Sequence, residues 1–194
     1  MRRHPSQGLL VSRLTSAQLR LLQQIPAHAD PSGSLEAESR LFQNPIRSAD
    51  DPEEDEITAD WHEHVIPDLQ TEFSRQLDCV SEDLRRARRE KPAAEEAVFP
   101  SHAKEEGSGE ENRAESEPPG DFYEFAIPFD HVESWYGALN QARLVMQERY
   151  KFPEIDSLDT IFELLQSENI KPYLTSRFYV EIQAALLDMA MDRM

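Results

Sequence analysis

Cysteine occurs once in this 194-residue chain, at Cys79. An intramolecular disulfide is therefore excluded, and a cysteine-based zinc site lacks its partners. A reducing compartment fits, and a cytoplasmic location is the expectation. Glycine is scarce, with six residues. No P-loop, GxGxxG, GxSxG or HExxH pattern occurs, which removes the common phosphate cradles, the nucleophile elbow and the helix-borne zinc site. Long apolar runs are missing too. Leu9-Leu10-Val11 is far short of the roughly 7–15 residues of a signal h-region. Nothing approaches the ~20 residues of a membrane span, so no membrane partner is expected. Bases are few: 20 against 38 acids, a formal charge of −18. Such a field repels phosphate backbones, and general nucleic-acid binding is not expected.

What is present is acidic and amphipathic. The hydrophobic fraction is 39% and the charged fraction 30%, which implies that part of the chain stays outside any core. Residues 91–120 supply that part. Glutamates alternate there with Gly, Ser, Pro and Ala, and Val98 and Phe99 are the only large apolar side chains. Such a segment cannot bury enough surface to offset its ordering entropy. The expected organisation is a flexible N-terminus (1–7), two halves of one helical domain (8–90 and 121–194), and a disordered acidic insert (91–120).

Periodicity places the elements. Leu9–Val11 reads as a short strand, followed by a helix capped by Thr15 or Ser16 that carries Leu19 and Leu22 and ends near Pro26. A short helix at about 34–42 would bury Leu35, Leu41 and Phe42. The acidic run 50–56 reads as a solvated loop, since a Ca²⁺ loop needs regularly spaced ligands and a glycine bend. From Thr58 to Arg89 runs the longest expected helix, with Ile66, Leu69, Phe73, Leu77, Val80, Leu84 and Ala87 on one stripe and a kink or start at Pro67. Its cationic end, Arg85 to Lys91, complements the helix dipole.

Beyond the insert, Tyr123, Phe125, Ile127 and Phe129 alternate with other residues as in a strand, and Pro128 makes it an edge strand or marks its end. Asp130, with Glu133 three residues on, should cap the next helix. Trp135, Ala138, Leu139, Ala142, Val145 and Met146 share one face of it. After a break at Phe152-Pro153, Asp156 or Ser157 starts a helix with Leu158, Ile161, Phe162 and Leu165 inward. The last helix points Leu174, Phe178, Ile182, Ala185, Leu186 and Met189 inward. The two strands are expected to pair. The fold class is therefore mainly α: a helical bundle of about five helices with a small two-stranded β-ribbon.

Candidates for chemistry are thin. His62 and His64, at i and i+2, lie about 200° apart on a helix and cannot chelate one metal from it. Cys79 has no cation or base among its immediate neighbours and reads as a structural thiol. Among 38 acids, no carboxylate pair stands out. His131 falls in the first turn of its helix, where the dipole disfavours the imidazolium. No catalytic residue, cofactor or metal is expected. The positions singled out are Trp135, on the apolar stripe, and Asn140 and Arg143, beside it. They form either the polar edge of a core or a recognition surface.

These residues carry a resemblance. Trp135, Ala138-Leu139-Asn140 and Arg143-Leu144 resemble the W-x-x-A-L-N-x-x-R-L signature of a bacterial family known only as a domain of unknown function, numbered two thousand and seventeen. Leu14-Thr15 and Leu21-Leu22 resemble its opening helix, and Leu41-Phe42, Asp51-Pro52-Glu53 and Asp83-Leu84 its middle. This chain reads Asn140-Gln141-Ala142-Arg143-Leu144 where the family usually has N-D-L-R-L, and its connection before the Trp helix is longer. The resemblance implies a helical fold without an established activity. Members are often encoded near the adaptor of the Clp protease, which implies a link to regulated proteolysis.

The functional expectation is a non-enzymatic interaction or regulatory module that binds a protein partner. The alternatives are a regulator linked to the Clp protease system and an enzyme whose site lies near Asn140 and Arg143.

Overall fold

The computed structural model describes residues 2–4, 8–44, 52–89, 121–155 and 157–191. The whole of the expected insert, 91–120, and residue 1 with 5–7, lie outside these. The strands are β1 (Arg2–His4), β2 (Gly8–Thr15), β3 (Arg88–Arg89) and β4 (Phe122–Pro128). The helices are α1 (Ser16–Gln23), α2 (Ile25–Ala29), α3 (Leu35–Leu41), α4 (Pro52–Asp60), α5 (Ile66–Arg85), α6 (Val132–Tyr150), α7 (Leu158–Gln166) and α8 (Ile170–Met191). The fold is mainly α, as expected.

The strands make more than a ribbon. All pairings are antiparallel and the order is β1-β2-β4-β3. The expected loose terminus contributes β1, and the arginine-rich helix end continues into β3. β4 is thus a central strand, with Pro128 as its last residue, opposite Gly8. A bulge interrupts β2 between Val11 and Leu14, and Arg13 there has φ 59°. Strict alternation from Leu9 and Val11 would turn residue 13 inward. The extra residue instead aims Leu14 at the core and leaves Arg13 outside, its guanidinium 5.5 Å from the Phe122 ring centroid.

The helix ends follow local chemistry. Thr15 and Gln18 form a reciprocal capping box at α1. Pro26 lies in the first turn of α2, where its missing amide costs nothing. The acidic run expected to be a loop begins α4 at Pro52. A π-helical segment, Trp61–Val65, joins α4 to α5, and Pro67 sits in the first turn of α5. The longest continuous helical run is in the middle of the chain, as expected, from Pro52 to Arg85 across the π-helical segment; α8 is the longest stretch of regular α-helix. Before α6, Phe129–His131 forms a 3-10 turn, so Asp130 is not the cap that the spacing predicts.

The core joins both sides of the insert. Leu9, Val11, Leu14, Leu22, Ile25, Val80 and Leu84 pack with Phe125, Ile127, Trp135, Leu139, Met146, Tyr179 and Leu186. α6 lies at the centre, against α2, α3, α5 and α8. Its predicted stripe is fully buried from Trp135 to Met146. Gly137 lets α5 come close: a Cβ there would meet Gln76 Nε2 at 2.9 Å and its Cδ at 2.6 Å. Gln76 is buried and accepts from Gln141 Nε2 at 2.8 Å.

Three helices face differently from expectation. In α3 the buried residue is Ala37, and Leu35 is exposed. In α8 the inward residues are Thr175, Tyr179, Gln183 and Leu186, whereas Leu174 is exposed. Leu186 is buried as expected, and Phe178, Ile182 and Met189 pack partly against the core, but the most buried line in the first half of α8 runs one residue on, through Thr175, Tyr179 and Gln183. In α7 only Leu164 is buried.

Tyr179 links α8 to the N-terminal helices. Its hydroxyl donates to Leu21 O at 2.7 Å and lies 2.8 Å from His28 Nδ1. Because that hydroxyl proton is committed to the carbonyl, His28 Nδ1 must be the donor to Tyr179. Burial, helped by the Arg149 guanidinium, holds the His28 imidazole below its ordinary value of 6.5. The unfolded chain therefore takes up this proton at higher pH than the folded chain. The contribution is complete above 6.5 and is lost as pH falls from there, until the folded form also protonates. The melting temperature should drop between about pH 7.5 and 5.5 more in the native protein than in His28→Gln. Parallel pH profiles would show that His28 carries no such linkage.

Candidate interaction surface

α7 is a nine-residue amphipathic helix whose apolar stripe faces away from the body. Ser157 caps it, accepting from Thr160 N at 3.2 Å, and Asp159 in the first turn suits the dipole. Leu158, Ile161, Phe162 and Leu165 recur at i, i+3, i+4 and i+7, within an arc of about 100°. Their exposures are 72%, 37%, 60% and 57%. The expectation that they point inward is thus reversed, because Leu164, about 100° round the helix, takes the inward position. Leu174, early in α8, is 57% exposed as well.

The stripe sits on a defined support. Lys151 ends α6 in the left-handed region, with φ 47°. Tyr150 stacks on Phe152, and Phe152 meets Tyr173 of α8 edge-on at 5.6 Å. Asn169 Nδ2, between α7 and α8, donates to Tyr150 O at 3.2 Å. The turn after α7 is therefore tied to the end of α6, and the segment before α7 to Tyr173 of α8.

Charge on α7 and in the segments joining it to α6 and α8 has one sign; Lys171, exposed at the start of α8, is the first base after them. Residues 152–170 hold five acids, Glu154, Asp156, Asp159, Glu163 and Glu168, and no base. Glu154, Asp159, Glu163 and Glu168 are exposed, and none pairs with a described cation. Lys151, just before them, is engaged by Glu148 at 2.6 Å.

A second apolar feature lies at the other end of α8. A groove of about 590 Å³ is lined by Phe129, Val132, Glu133, Tyr136, Leu186, Leu187 and Ala190.

The three residues singled out from sequence do not converge. Trp135 is buried, stacked on Phe125 at 5.4 Å, with Nε1 donating to Asp83 Oδ2 at 2.9 Å. Arg143 Nη1 donates to Gln183 Oε1 at 2.5 Å, and Gln183 Nε2 donates to Tyr136 O at 3.1 Å, which ties α6 to α8. Asn140, half-buried, lies one turn before Arg143 on α6, about 140° round from Trp135.

Asp83 was not among those residues, yet it is the one fully buried acid among the described residues. Its carboxylate, fully buried, accepts from Trp135 Nε1, from His131 Nδ1 at 2.9 Å, and from Arg86 Nη1 at 3.4 Å. Trp135 lies in α6, His131 in the turn before it and Arg86 at the end of α5 itself, so the carboxylate pins α6 and that turn to α5. The i, i+4 spacing of Cys79 and Asp83 could have suggested a shared helix face. The Cys79 thiol, the Asp83 carboxylate and the His131 imidazole each have a donor atom within 4.8 Å of the others. Among the described residues they form the one cluster of three such donors. Burial pushes the Cys79 thiol up, towards the protonated form. Both Asp83 oxygens already accept hydrogen bonds, one of them from a cation. Those bonds account for the cluster without an ion.

Fold and surface together describe a mainly α protein with a small antiparallel sheet and an unpaired amphipathic helix on its outside. The model of a domain of unknown function (DUF2017) matches residues 2–189, and the chain belongs to that family. No curated protein and no solved structure matches the chain. No helix among the described residues is long and apolar enough to cross a membrane.

Proposed function

We propose that this protein is a non-enzymatic interaction module that receives a protein partner on the apolar face of α7. The exposed stripe of Leu158, Ile161, Phe162 and Leu165 carries the reading. Four large apolar side chains turned to water on one short helix cost free energy, about 1.5–3 kcal/mol for each side chain that a partner would bury fully. Anchors at i, i+3, i+4 and i+7 are the pattern of helix-to-helix recognition. The enzyme alternative finds less support, since Arg143 is spent on Gln183 and Trp135 on Asp83. The lone cysteine supports a cytoplasmic setting.

A photo-crosslinking amino acid tests this in the native host. Placed at Phe162, it should give a discrete adduct that is absent when it is placed at Ser39, an exposed position on α3. The same products at both positions, or none at either, would overturn the reading.

A further inference from the structure

We infer that the occupant of the α7 face is a basic amphipathic helix: a partner segment with apolar anchors at helical spacing and Lys or Arg along their flanks. This rests on the interaction reading above and names the chemistry of the partner.

Two observations select that chemistry. The first is the stripe itself. α7 spans about 13 Å, so it matches two to three turns of a partner helix. The second is the frame around the stripe. Asp159 borders the stripe on the side away from Leu164, Glu163 lies further round towards the back of the helix, and Glu154 and Glu168 stand near the two ends. These exposed acids make no ion pair with a described residue, and the segment 152–170 contains no base to offset them. Bringing another acidic helix against them would cost Coulomb energy; bringing Lys or Arg would recover it and speed encounter. The same argument weighs against a second copy of this chain. An identical helix would set its own Asp159 and Glu163 into an acidic field, within a molecule of formal charge −18. An anionic lipid surface would meet the same repulsion.

Three synthetic helices of about 18 residues, with the same Leu and Phe anchors and with Lys/Arg, Gln or Glu on the flanks, test the inference against the full-length protein. Fluorescence anisotropy at low salt should show the basic peptide binding about tenfold tighter than the Gln peptide, with no measurable binding of the acidic one. The advantage should shrink at about 0.5 M salt. Phe162→Ala should weaken the basic peptide about tenfold or more, with an unchanged circular dichroism spectrum and melting temperature, because the side chain is exposed. The double change Asp159→Lys, Glu163→Lys should transfer the preference to the acidic peptide.

Equal binding of the basic and Gln peptides would overturn the charge assignment and leave the interaction reading standing. So would a Phe162-specific crosslink to an acidic segment. Binding of no peptide would overturn the inference. A dimer in sedimentation that Phe162→Asp dissolves would also overturn it and name a second copy as the occupant.

Discussion

Replacing Asp83 with alanine is expected to lower the unfolding free energy by about 2–4 kcal/mol, the largest effect of any single polar substitution in this fold. The cost has a definite origin. Asp83 is fully buried and accepts hydrogen bonds from Trp135 and His131, which reach it from α6 and the turn before it. Alanine would leave the indole N–H of a completely buried tryptophan without an acceptor, and an unsatisfied buried donor costs about 1–3 kcal/mol by itself. The second donor and the small cavity add to that. Trp135→Phe keeps an aromatic ring against Phe125 but removes one donor and leaves a small cavity; it should cost somewhat less, about 1–3 kcal/mol. The two changes should not add, because each removes the same bond. Urea denaturation followed by circular dichroism measures all three variants. A loss below about 0.5 kcal/mol for Asp83→Ala would mean that the carboxylate does not hold α5 to α6.

Gly8→Ala should destabilise by about 1–3 kcal/mol, through overpacking rather than loss of a contact. A Cβ at Gly8 would lie 3.0 Å from the carbonyl carbon of Ile127, 3.1 Å from Pro128 Cα, and closer still to the Ile127 oxygen. These are backbone atoms of the opposing strand, so no side chain can swing aside. β2 must move from β4 at its first pair, Gly8 with Pro128. This pairing joins a strand before the insert to one after it, so the damage should spread. Amides of both strands should exchange faster in the variant, well beyond Gly8 itself. Exchange confined to residues next to Gly8, with an unchanged urea midpoint, would show that the strand end relaxes locally.

The elements themselves were legible in the sequence to the extent that their signals were local. The Thr15 cap, the end of α6 before Phe152-Pro153, the start of α7 at Ser157 and the strand ending at Pro128 all rest on chemistry within a few residues. The stripe of α6 was legible as well. That helix is packed from several sides, so every apolar position from Trp135 to Met146 has somewhere to go.

Orientation was less legible where a helix has few neighbours. α8 turns Thr175, Tyr179 and Gln183 inward, against the rule that polar side chains face water. Their polar atoms are satisfied inside: Thr175 by Lys171 O, Tyr179 by Leu21 O, Gln183 by Arg143 and Tyr136 O. Two of these three sets of partners lie far along the chain, beyond the reach of any periodicity. β3 escaped notice for a similar reason. Two arginines become a strand only because β4 offers a free edge beside them. Asp83 looked like one acid among 38, and only the fold delivers Trp135 and His131 to it.

By itself, the sequence determined a mainly α chain with one cysteine, a strong negative charge, and an amphipathic helix starting at Asp156 or Ser157 with its stripe at Leu158, Ile161, Phe162 and Leu165. Spacing and charge are properties of the chain, and they suffice for that. Only the tertiary structure decided which way the stripe faces. A helix of nine residues buries whatever face its neighbours can cover, and Leu164 alone found cover. A helix that looked like part of the core is therefore the surface on which the proposed function rests.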